Sequence, residues 1–105
     1  MTGSRLETLR KFLEDDPSDV FTRYAIALEY ISAGDAPAAL LAFEEVLRHD
    51  PAYVPAYHQM GLLLLRSGRA PEGRSALDRG IAAAVASGDR HAELEMRETL
   101  EESEA

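Results

Sequence analysis

The sequence predicts an all-α protein, a short right-handed stack of antiparallel helix pairs with about six helices. Three observations predict it. The 105-residue chain resembles itself at a spacing of 34 residues, and a fixed period of that length marks a repeat architecture. Its apolar residues recur at helical spacing. Glycine and proline punctuate both copies at matching places.

The repeat is read residue by residue. Asp16-Pro17 returns as Asp50-Pro51, Val20 as Val54, Leu28 as Leu62, and Gly34 as Gly68. Ala36-Pro37 returns as Ala70-Pro71 and Ala42 as Ala76. Other pairs keep their character: Ile26 with Met60, Ala27 with Gly61, Ala39 with Gly73, Phe43 with Leu77, and Leu47 with Ile81.

One domain over residues 1–105 is expected, a usual size for a single core. Its first element is a helix over 4–15. Leu6, Leu9, Phe12 and Leu13 share one face there, and Ser4 with Glu7 forms a capping box. The first repeat follows over 17–50. Ile26, Ala27 and Tyr30 lie on one stripe of its first helix. Gly34 ends that helix, because glycine accepts the left-handed conformation of a helix C-terminus. Pro37 opens the second helix, where a missing N–H costs nothing. Ala39, Phe43, Val46 and Leu47 form that helix's inner face. Asp50-Pro51 closes the repeat, since a residue before proline resists the helical conformation. The second repeat covers 51–87 in the same pattern. Ser87-Gly88-Asp89 then breaks the chain and caps a last helix over 89–103, with Ala92, Met96 and Leu100 on one stripe. That helix covers an otherwise exposed apolar end.

Small residues carry a geometric expectation. Ala27, Ala39, Gly61 and Gly73 stand where paired helices approach most closely. Each glycine costs roughly 0.5–1 kcal/mol of helix propensity against alanine, and close packing is the compensation.

These motifs resemble the tetratricopeptide repeat, the family of small bacterial-type repeat proteins included. Its pattern has an aromatic, an aliphatic-small pair, a Tyr, then a small residue, a Phe and a closing Pro. The first unit presents Arg23, Ile26-Ala27, Tyr30, Ala39, Phe43 and Pro51. The second presents Tyr57, Met60-Gly61, Leu64, Gly73, Leu77 and Val85. Arg23 departs from the aromatic and Val85 from the proline. The resemblance covers Pro17 to about Ser87. It implies a helical solenoid that binds a protein or peptide in a concave face lined by the first helix of each repeat.

Helical spacing places Phe21, Tyr24, Leu28 and Ile31 on that face in the first repeat. The shifted set is Pro55, His58, Leu62 and Leu65, with Arg66 beside them. Three readings of this stripe stand open. It is an apolar groove for a partner's helix or peptide. It is a surface for homo-oligomerisation, giving a homodimer. Or it is internal packing between neighbouring helices. Family members that grip a C-terminal carboxylate do so with Lys, Arg and Asn on this face. This chain has no Asn, and Tyr24 and His58 stand in those places, so Arg66 alone matches.

The net charge of −8 argues against nucleic acid, whose phosphates require a positive face. Residues 89–105 hold seven acids against Arg90 and Arg97, a net −5, read as a solvated helix face. Ten of the eleven bases are Arg; this suits a salt-rich cytoplasm and equally a GC-rich genome. The chain has no cysteine, which excludes disulfides and thiol ligands. Its longest apolar run, Leu62–Leu65, is far short of a membrane span, and its first residues carry no signal-peptide core. A cytoplasmic protein is expected, with no membrane partner.

Catalysis is not expected. Neither metal-ligand spacing, a nucleophile elbow nor a phosphate loop is present, and no cofactor is implied. His49 sits in a last helical turn, where positive charge complements the helix dipole. His91 stands in the first turn of the acidic helix. His58 alone lies on the candidate face, either conferring pH dependence near neutrality or packing neutral against Tyr24 or Leu62.

Overall fold

The computed structural model describes residues 2–104, with side chains from residue 5 onward. Six helices account for the described residues: α1 (Thr2–Asp15), α2 (Val20–Ser32), α3 (Ala36–His49), α4 (Val54–Arg66), α5 (Ala70–Ser87) and α6 (Arg90–Glu104). No strand occurs among the described residues. Helix α1 already begins at Thr2, ahead of the expected start. The capping box assigned to Ser4 lies outside the described side chains.

The caps follow from local chemistry. The Asp19 side chain accepts hydrogen bonds from the Thr22 backbone N–H at 3.3 Å and the Thr22 hydroxyl at 2.6 Å. Asp35 receives the N–H of Ala38, and Asp89 that of Ala92, both at 3.1 Å. Each satisfies a donor left free at a helix start. Helices α4 and α5 have no side-chain cap but carry a proline in their first turn, which removes one of those donors. At the other ends, Gly34 and Gly68 take φ of 76° and 77°. The following N–H then reaches back five residues, Asp35 to Tyr30 and Arg69 to Leu64, each at 2.9 Å. Only glycine adopts that turn freely.

The chain divides between Asp50 and Pro51 into two compact units. In the first, α2 packs against both α1 and α3. Ile26, Ala27, Ala39, Phe43, Val46 and Leu47 are buried, each large side chain contributing about 1.5–3 kcal/mol. Helix α1 is fastened to α2 by polar contacts at its rim. Arg5 pairs with Glu29 at 2.6 Å, and the Arg10 guanidinium donates to the Tyr30 hydroxyl at 2.6 Å. In the second unit α4 packs on α5, and α6 packs on both. Its core is Val54, Tyr57, Met60, Leu63, Leu64, Leu77, Ile81 and Met96, with Ala56, Ala76 and Ala84.

Glycines fix how closely these helices meet. A Cβ at Gly61 would lie 2.8 Å from the Leu77 side chain, and one at Gly73 2.9 Å from Leu65. Gly80 is a third such position. A Cβ there would fall 2.6 Å from both Met96 Sδ and Tyr57 Cβ, so the missing side chain is what admits Met96 of α6.

Candidate functional site

Within the first unit, Phe21, Tyr24, Leu28 and Ile31 occupy one side of α2 because their spacing of three and four residues is helical. Their exposures differ. Phe21 is 69% exposed, while Tyr24, Leu28 and Ile31 are half-buried. Tyr24 is held by a tilted ring contact with fully buried Phe43, centroids 6.0 Å apart. Such geometry favours the edge-to-face attraction of aromatic pairs. Phe21 therefore projects beside a tyrosine that is packed on the core.

The second unit treats the corresponding side of α4 differently. His58 is half-buried, and its Nε2 lies 3.2 Å from the Thr99 hydroxyl of α6. Leu62 and Leu65 are half-buried and Arg66 is exposed. Leu65 fills the space beside Gly73 on α5, so part of it belongs to the packing of its own helix pair. The last helix thus reaches the α4 face at His58. Sequence spacing carries no signal for the Thr99 contact, which depends on where α6 docks.

The remaining histidines each face a glutamate of their own helix. His49 Nε2 is 3.5 Å from Glu45, and His91 Nε2 is 3.2 Å from Glu95. Glu45 also pairs with Arg48, whose hydrogen bond holds its carboxyl below the usual carboxylate range. Glu45 and Arg48 line an open hollow of about 520 Å³ between Tyr30 and the outer side of α3, beside Leu41 and Ala42. Of its charged side chains, Glu44, Glu45 and Arg48, the last two pair with each other. Among the described residues no three His, Asp or Glu side chains gather as metal ligands, and no helix is long and apolar enough to cross a membrane.

Comparison with known proteins agrees with this architecture. The tetratricopeptide repeat model matches residues 30–95. A TPR repeat-containing protein of Pseudomonas aeruginosa is 30% identical over 91 residues, which is 87% of each chain. The solution structure of a tetratricopeptide repeat domain protein from Salinibacter ruber superposes with a TM-score of 0.80 at 35% identity, covering 85% of this chain and 90% of that one. The Yersinia enterocolitica type III secretion translocator chaperone SycD shares the fold alone, with a TM-score of 0.86 at 12% identity over 98% of this chain and 72% of its own.

Proposed function

Because the chain belongs to the tetratricopeptide repeat family, whose domains mediate protein–protein interaction, we propose that it is a non-catalytic interaction module that holds an apolar peptide or helix of a partner protein on its first-helix faces. The α2 face is the principal contact, through Phe21, Tyr24, Leu28 and Ile31. In the second unit His58, Leu62, Leu65 and Arg66 of α4 are the corresponding contact residues.

The observation that carries this reading is Phe21. An aromatic side chain left 69% exposed beside a half-buried tyrosine is an anchor of the kind that dominates interfaces. Tyr24 can add a polar tip to an apolar body, which suits a peptide carrying both leucine-like side chains and free backbone groups.

The test is selection from a displayed peptide library against the intact chain, followed by titration of the winning peptide. Binding to wild type and a loss of tenfold or more in Phe21→Glu, with circular dichroism unchanged, supports the α2 face. Equal binding by both chains removes it. A concentration-dependent mass that Phe21→Glu abolishes would instead make the same face a homo-oligomerisation surface.

A further inference from the structure

The two terminal helices are docked in different ways. Helix α6 packs on both α4 and α5. It buries Met96 completely, in the space that Gly80 leaves open, and it buries Glu93 as well. Helix α1 packs on α2. From Arg5 onward none of its side chains is buried. Leu6, Leu9 and Leu13 are half-buried, and Phe12 is 56% exposed. A hollow of about 80 Å³ remains where Leu13 comes beside Ile26 and Ala42, so the seam under the last turn of α1 is not filled.

Hydrophobic stabilisation scales with the apolar area removed from water, and α1 removes little. It cannot stand by itself either. An isolated helix of 14 residues is marginal in water, so α1 loses its own hydrogen bonds when it leaves α2. Helix α2 is in the opposite position. Ala27 is fully buried and Tyr24 meets buried Phe43 of α3, contacts that α1 does not supply.

Two arginines of α1 reach adjacent residues in the last turns of α2. Arg5 pairs with Glu29 at 2.6 Å, and Arg10 donates to the Tyr30 hydroxyl at 2.6 Å. Arg5 is 70% exposed, so its pair is open to dissolved ions. Exposed charge pairs are weak, and salt weakens them further. With no buried side chain beneath them, such ties are a large share of what keeps α1 in place.

We propose that α1 is a strap. It leaves α2 as one unit and unfolds as it leaves, while α2 and the helices after it keep their structure. Arg5 and Arg10 set how often this happens, which makes the opening responsive to ionic strength. Opening uncovers the side of α2 that carries Ile26 and Tyr30. The strap is a separate property from peptide binding at Phe21, and its test needs no peptide.

The experiment is amide hydrogen exchange of the full chain followed residue by residue by NMR, with α6 as the reference inside the same molecule. The hydrogen-bonded amides of residues 6–15 should share one opening constant, at least about tenfold larger than that of the slowest α6 amides. Raising sodium chloride from about 0.05 to 0.5 M should increase the α1 constant about threefold and leave α6 unchanged. Arg5→Ala with Arg10→Ala should increase it about threefold to thirtyfold at low salt and remove most of the salt effect. Both positions are exposed, so the variant keeps its core. Protection in α1 equal to that in α6 overturns the proposal. So does a graded loss that runs inward from Thr2, which is fraying rather than opening as a unit. An arginine variant that opens no more than wild type, or one in which α6 accelerates as much as α1, overturns it as well.

Discussion

The Tyr57 hydroxyl donates to the carbonyl oxygen of Pro51 at 2.7 Å, tying the first turn of α4 to the turn before it. Thirty-four residues earlier the same bond is made by a different side chain. Arg23 Nε and Nη2 donate to the Pro17 carbonyl at 3.2 and 3.0 Å. The place where the repeat pattern breaks in sequence is thus a place where its hydrogen bond persists. Both residues offer a donor at the end of a long, flat side chain.

This equivalence predicts a stability series. Tyr57→Phe should lose about 1 kcal/mol, the usual net worth of one hydrogen bond. Arg23→Ala should lose a similar amount. Arg23→Tyr should retain wild-type stability, because it restores the donor used in the other unit. Urea unfolding of the three variants measures this, and an Arg23→Tyr chain as weak as Arg23→Ala would separate the two bonds.

Gly61→Ala and Gly80→Ala each raise helix propensity by about 1 kcal/mol, yet both should destabilise. At Gly61 the new methyl meets Leu77 at 2.8 Å and the Gly73 carbonyl at 3.3 Å. At Gly80 it meets Tyr57 Cβ at 2.6 Å, an atom next to backbone that cannot swing away. Overpacking of this kind costs about 1–3 kcal/mol. Thermal unfolding that rises in either variant would show that the helices separate without penalty.

Acid should loosen α6. Glu93 is buried, and its carboxyl is held below the usual range by the Arg97 hydrogen bond, with Arg90 adding to it. A carboxyl lowered on folding contributes stability that is fully present above its unfolded value, about 4.3. That contribution is lost as pH falls through the folded value. The stability gap between wild type and Glu93→Gln should therefore be constant above about pH 5 and close as the pH drops toward 3. Melting curves across that range give the gap directly.

Phe21 and Leu65 should behave in opposite ways. Phe21→Ala removes an exposed ring and should change stability by less than about 0.5 kcal/mol. Leu65→Ala empties the space beside Gly73 and should cost about 2 kcal/mol. Denaturation midpoints of the two variants decide whether these two members of the predicted faces have separate work.

The sequence by itself determined the helix count, their order and most of their ends, since these follow from local physics. The proline restrictions, the left-handed glycines and the aspartate caps act within a few residues. The 34-residue period could be read because Ala27, Gly61, Ala39 and Gly73 meet the same steric demand twice. Tertiary structure decided what each exposed-looking stripe does. Tyr24 and Leu65 share a pattern with Phe21, but Phe43 covers one and the α5 seam receives the other. Gly80 reads as a weak helix residue until Met96 is seen to fill it, and His58 gains Thr99 only because α6 folds back on α4. Burial is a property of the partner helix as much as of the residue, and a one-dimensional period does not specify the partner.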